Sequence, residues 1–140
     1  MKYKLHQLGY TTGAFDLFHV GHLRLLKRAA ELCDKLIVGV STSESMEKFK
    51  DVGPVISFEQ RCEIVNSLPF VHNVIPNEIL DHEITRKRLG FDVFIIGDDW
   101  QQRLPDISCP VIYLPRTKGI STRSIQFKIQ SSIRVEPEFA

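Results

Sequence analysis

The stretch LGYTTGAFDLFHVGHLRLLKRAAELCDKLIVGVS, residues 8–41, decides the fold. Leu8 to Thr12 reads as a short strand that runs into a glycine turn. Gly21 to Leu32 reads as a helix, with Leu23, Leu26, Ala30 and Cys33 on one face at helical spacing. Lys35 to Ser41, KLIVGVS, is an apolar and β-branched run of the kind that is buried on both faces of a sheet.

The alternation continues along the chain. SFEQRCEIVNSL, 57–68, opens with Ser-x-x-Gln, a pattern in which side chains satisfy the free N–H groups of a helix start, and predicts a helix. HNVIP, 72–76, reads as a weak strand, and NEILDHEITRKRL, 77–89, as an amphipathic helix stopped by Gly90. Val93–Ile96 and Val111–Leu114 read as further buried strands, and STRSIQFKIQ, 121–130, as a last helix. Strands and helices in strict alternation imply the α/β class: a Rossmann-like, doubly wound parallel sheet flanked by helices. A single domain over 1–130 with a polar, frayed tail over 131–140 is expected. Ligands of such sheets bind outside the carboxyl ends of the strands. Three unusual segments follow predicted strands: TTGAFDLFHVGH, GDDW and PRTKGIST. They should meet in one crevice.

Composition bounds the function. The chain has 140 residues, is 43% hydrophobic and 25% charged, and carries a net charge of +1, a balance that does not argue for nucleic-acid or membrane binding, and neither partner is expected. Charge is nevertheless uneven. Residues 107–135 hold five basic residues, Arg116, Lys118, Arg123, Lys128 and Arg134, and no acidic one, so this third should attract an anion. Cys33, Cys62 and Cys109 lie far apart with no zinc spacing and read as reduced, buried thiols of a cytoplasmic protein. MKYKLHQLGY has no apolar signal-peptide core, and no apolar run reaches the length of a membrane span.

Two of only five histidines, His19 and His22, stand three apart with Gly21 between them at a helix start. Residues at i and i+3 share a helix face. Gly21 removes a side chain and opens the backbone to a ligand. A helix start offers free N–H groups and a positive dipole end, to which two imidazoles add donors for anionic oxygens. A zinc site would need further ligands that HVGH does not supply. PRTKGIST is the second anion candidate, with Arg116 and Lys118 for charge, Gly119 for a tight turn, and Ser121 and Thr122 as hydroxyls at a helix start. GDDW ends a buried strand with Asp98, Asp99 and the only tryptophan, Trp100. It can hold a hydrated Mg²⁺, contact a ribose or base, or be a packed turn.

HVGH, GDDW and PRTKGIST, in this order and spacing, resemble the cytidylyltransferase family from about Gly9 to Ile125. The resemblance implies transfer of CMP from CTP to a small phosphorylated alcohol, with glycerol 3-phosphate the first to expect and phosphocholine, phosphoethanolamine or another phospho-polyol as alternatives. An adenylyltransferase and a nucleotide-binding module without turnover are the remaining readings. It further implies Mg²⁺ or another divalent cation, held mainly by the CTP phosphates with Asp16 as a candidate ligand, and a homodimer. Carried over by position, Thr12, Gly13, Ala14 and Phe15 line the nucleotide. His19 and His22 hold the triphosphate. Arg116, Ser121 and Thr122 bind its outer phosphates, Thr117, Gly119 and Ile120 also contact the nucleotide, and Asp98, Asp99 and Trp100 surround cytidine. Lys48 and Lys50 come from a flexible segment to the phosphates, and Asp16, Lys50 and Arg61 serve the acceptor. This chain departs from the family at Ala14, where threonine is usual, and at Pro69 and His72 in PFVHNV, where arginine and aspartate are usual.

Overall fold

The computed structural model describes residues 4–50, 53–78 and 81–133, with the side chains of 49 and 50 outside that description. The elements follow in the order β1 (His6–Gly13), α1 (Val20–Glu31), β2 (Cys33–Ser41), α2 (Ser43–Lys50), α3 (Phe58–Asn66) and β3 (Asn73–Asn77). Then come α4 (His82–Leu89), β4 (Val93–Gly97), a single 3-10 turn (Asp98–Trp100), β5 (Val111–Leu114) and α5 (Thr122–Ser132). The strands form one parallel sheet in the order β3-β2-β1-β4-β5, the doubly wound arrangement expected from the alternation.

The period of two along each strand sorts the core into two layers. Leu36, Val38 and Val40 of β2, with Val93 and Ile95 of β4, face Leu26 and Ala29 of α1 and Val65 of α3. Ile37 of β2, with Phe94 and Ile96 of β4, faces the other way onto Tyr10, Phe91 and Leu89. Because both faces are covered, the strands read as unbroken apolar runs rather than alternating ones. Full burial of each such side chain is worth about 1.5–3 kcal/mol. On α1, Ala29 rather than Ala30 is fully buried beside Leu26, and Cys33 opens β2 instead of closing the helix face. Cys33 is buried and the other two thiols are half-buried. Burial pushes all three above the ordinary thiol range, away from reactivity.

Local chemistry sets most boundaries. Ser57 Oγ accepts from Gln60 N–H at the start of α3, the serine half of the expected capping pattern. Gly90 ends α4 at φ 75°, in the left-handed region that glycine favours, and donates its N–H to Arg86 O at 2.7 Å. Two expectations shift. The helix expected from Asn77 begins at His82, because Asn77 is drawn into β3 opposite Ser41 and Asp81 Oδ1 caps the helix by accepting from Glu83 N–H. Met46 to Lys50 of MEKFKD, expected as a flexible lysine-bearing segment, lie in α2 (Ser43–Lys50), whose start is capped by Thr42 Oγ1 accepting from Ser45 N–H. α5 runs on through Ser132, and the expected tail from 134 lies outside the described residues. No described helix is long and apolar enough to cross a membrane.

The sheet parts where its order reverses. β1 stays in register with β2 from His6↔Cys33 to Gly13↔Val40. It meets β4 at Gly9↔Val93 and Tyr10↔Phe94 and nowhere beyond. Past that short seam the carboxyl ends of β1 and β4 diverge, and the cleft opens between them.

Candidate active site

The cleft measures about 890 Å³, within the range of small-molecule sites. All three unusual segments reach it. From the first half come Thr12, Gly13, Ala14, Phe15, Asp16, His19 and His22, and from the second Asp99, Trp100, Arg116, Thr117, Ile120, Ser121 and Thr122.

His19 is the N-cap of α1. Its Nδ1 accepts from Gly21 N–H at 3.0 Å, and His22 Nδ1 accepts from His19 N–H at 3.2 Å, so each imidazole closes half of a reciprocal cap. A ring nitrogen that accepts carries no proton, which leaves the proton of each neutral ring on Nε2 as a donor. The rings stack at 3.7 Å between centroids. Phe15 meets His22 edge-on at 5.4 Å, and Phe18 lies tilted against it at the same distance. This apolar enclosure pushes the His22 pKa down to about 4, the charge of His19 adding to the effect and Asp16 opposing it. Burial lowers His19 too. Both rings are therefore neutral hydrogen-bond donors near pH 7.

Gly21, which lines the cleft, makes room for the His19 ring. A Cβ there would stand 2.8 Å from His19 Cε1 and 2.9 Å from its Nδ1. Gly13 plays the same part for Phe15, whose ring lies 2.9 Å from where a Cβ would be. The turn between them is strained: Phe15 and Leu17 hold φ of 55° and 51°, a region costly for bulky side chains.

Asp16 and Arg61 depart from their expected roles. The buried Asp16 carboxylate accepts from Val55 N–H at 2.8 Å and Ile56 N–H at 2.9 Å, one bond on each oxygen. Arg61 is fully buried. It donates from Nε to Ile56 O, from Nη1 to Ala14 O and Ser41 O, and from Nη2 to Ser43 Oγ. Burial lowers its pKa and the charge of Asp16 raises it. The guanidinium expected at the acceptor is thus a clasp that joins the histidine loop, the end of β2, the start of α2 and the loop before α3. Asp16 is engaged in the same way, so it does not fit as a free metal ligand. Among the described residues no cluster of three or more His, Cys, Asp or Glu could hold an ion.

Other expected residues divide. A Cβ on Gly97 would come 2.7 Å from Asp99 Oδ1, so this glycine lets Asp99 fold back over the strand end. Asp98, the first residue of the 3-10 turn, is exposed and does not line the cleft. Gly119, at φ 83°, shapes the turn before α5 but does not line the cleft either. Ser121 Oγ accepts from Ser124 N–H as the N-cap of α5, leaving its own O–H free to donate. The Thr122 hydroxyl, expected on phosphate, instead donates to Asp16 O at 2.7 Å and ties α5 to the histidine loop. Lys48 is exposed on α2 and outside the cleft lining, whereas Met46 on the same helix lines it. The Lys50 side chain lies outside the described residues. Pro69 and His72, the departures from the family pattern, do not line the cleft, and His72 N–H bonds Leu36 O beside the start of β3. Sequence reasoning missed Leu25, Gly53, Ile96, Arg123 and Gln126 as lining residues. Leu25 was readable as the residue one turn beyond His22.

The cytidylyltransferase-like family profile matches residues 10–128. The chain belongs to this family. It is 44% identical over 120 residues to the glycerol-3-phosphate cytidylyltransferase of Bacillus spizizenii, covering 83% of this chain and 92% of that one. It is 40% identical over 119 residues to the enzyme of the same name from Staphylococcus aureus, covering 83% and 89%. Among solved structures, a lipopolysaccharide core biosynthesis protein of Thermoplasma volcanium shares the fold, with a TM-score of 0.69, 21% identity, and coverage of 81% of this chain and 99% of that one.

Proposed function

We propose that this cytidylyltransferase-family chain transfers CMP from CTP to glycerol 3-phosphate, forming CDP-glycerol and releasing pyrophosphate. A phosphate oxygen of the acceptor attacks the α-phosphorus of CTP, and the bond from that phosphorus to the β-phosphate oxygen breaks. A phosphomonoester has a second pKa near ~6, so at neutral pH the acceptor is already largely a dianion and needs no strong general base. The barrier is the approach of one anion to another. Positioning and charge stabilisation therefore carry the catalysis.

The observation that supports this most is the stacked, neutral pair His19 and His22 at the start of α1, with two Nε2–H donors. In this reading those donors hold the triphosphate and stabilise charge at the α-phosphate. Arg116 and the free O–H of Ser121 meet the outer phosphates, and Asp99 and Trp100 meet cytidine. Mg²⁺ would be held mainly by the CTP phosphates and would supply neutralisation of their charge. The homodimer implied by the family resemblance belongs to the same reading, as does a cytoplasmic site, where CTP and reduced cysteines coexist.

The test is pyrophosphate release by the purified chain with Mg²⁺, CTP or ATP, and glycerol 3-phosphate or phosphocholine. Release with CTP and glycerol 3-phosphate, lost in His19→Ala, is the expected result. Release only with another pair would replace the substrate, and release with none would overturn the activity.

A further inference from the structure

Arg123 is the cation of the cleft that the family motif does not include. It follows Thr122, whose hydroxyl bonds Asp16 O, so its backbone is fixed to the histidine loop. The reciprocal cap between Ser121 and Ser124 sets the first turn of α5 around it. Arg123 and Gln126, at i and i+3, share a face and line the cleft, whereas Lys118 and Lys128 of the same acid-free region do not.

Charge makes the residue matter. Among the described residues, the formally charged side chains that line the cleft are Asp16, Asp99, Arg116 and Arg123. Both histidines are neutral and the Asp16 carboxylate is engaged by two amides. Among the described residues, positive charge at the cleft lining therefore comes from the two arginines. Among the described residues the single ion pair within 4.0 Å is His6–Asp92, so the guanidinium of Arg123 is unpaired there. The proposed reaction places its largest negative charge on the outer phosphates, and most of all on pyrophosphate as it leaves. An unpaired, forked donor on the same helix turn as Ser121 matches that chemistry.

We propose that Arg123 binds the β- and γ-phosphates of the nucleotide together with Arg116 and holds the departing pyrophosphate. This rests on the reading of the cleft as a nucleoside triphosphate site. As the α-phosphorus bond to the bridging oxygen breaks, the electron pair stays on that oxygen, and the guanidinium stabilises the charge without exchanging a proton.

The experiment is calorimetric titration of the full chain, wild type, Arg123→Ala and Arg123→Lys, with CTP, CMP and inorganic pyrophosphate, beside steady-state kinetics. Arg123→Ala should bind CTP and pyrophosphate about tenfold more weakly, the loss of one exposed charge-assisted contact, with CMP unchanged. The KM for CTP should rise in step and that for glycerol 3-phosphate stay within twofold. Arg123→Lys should recover part of the loss, and added salt should shrink the difference. CTP and pyrophosphate affinities within twofold of wild type would overturn the proposal. So would an equal loss for CMP, which would mean contact with the nucleoside or a disturbed fold, or a rise in KM for the acceptor alone. If wild type binds CTP and pyrophosphate but turns over no acceptor, the activity fails while the binding comparison still decides Arg123. If wild type binds neither, both fall.

Discussion

Replacing Gly21 by alanine separates the stability of α1 from the chemistry at its start. The new Cβ would sit 2.8 Å from His19 Cε1 and 2.9 Å from Nδ1, with Ile120 Cγ2 at 3.4 Å on another side. The helix backbone cannot give way, so the ring must swing out. It then loses the bond from Gly21 N–H and its stack on His22. Loss of an N-cap costs about 0.5–2 kcal/mol. Alanine in place of glycine within a helix returns about 1 kcal/mol. The net change should lie within about 1 kcal/mol, which for a chain of this size moves Tm by no more than about 4 °C. Activity should respond far more. Displacing one positioned donor from a developing oxyanion lowers kcat by about 10²–10³-fold. Urea unfolding and pyrophosphate release on the same preparation measure both. Activity within threefold of wild type would refute the claim that Gly21 exists to seat His19. A loss of stability well beyond 1 kcal/mol would refute the accounting of cap against propensity.

Two further outcomes follow from the geometry. The unfolded chain protonates His22 near its ordinary 6.5, the folded chain only near pH 4. Stability from this ring is therefore complete above about pH 6.5 and falls as pH drops towards 4, by up to about 3 kcal/mol. Urea unfolding at pH 4.5 and 7 should show a smaller difference for His22→Gln than for wild type, and equal differences would remove the buried neutral ring. Arg61→Lys keeps the charge but loses the fork that reaches Ile56, Ala14, Ser41 and Ser43. Breaking such a buried charged network costs about 3–5 kcal/mol, to be read from denaturant midpoints. Unchanged stability with a raised KM for glycerol 3-phosphate would return Arg61 to the acceptor.

What the sequence made legible is what local rules determine. KLIVGVS and FDVFIIG read as strands because both faces of each are covered, and Gly90 reads as a stop because the left-handed turn needs glycine. HVGH, GDDW and PRTKGIST converge because all follow strands of a parallel sheet. The residues that escaped are those whose role depends on distant partners. Nothing in SFEQR says that Arg61 points inward to carbonyls of Ala14 and Ser41, so an active-site role and a buried clasp look alike in one dimension. Thr122 reads as a phosphate hydroxyl until Asp16 O appears beside it. Asn77 has the look of a helix start until β2 recruits it. The helix α2 around MEKFKD was the most local element to escape, since the Thr42 cap was present in the sequence beneath the charge of Lys48 and Lys50.

The short seam between β1 and β4 divides the molecule along the chain as well as in space. Residues before it supply β1, β2 and β3, residues after it supply β4 and β5, and ladder pairing joins the two plates at only two registers. The histidines ride on the first plate, and Asp99, Trp100, Arg116 and Arg123 on the second. Neither plate holds a whole site. A nucleotide bound in the cleft as proposed would act as a rivet across the least-paired line of the sheet, and recognition of the substrate and cohesion of the fold would become one event.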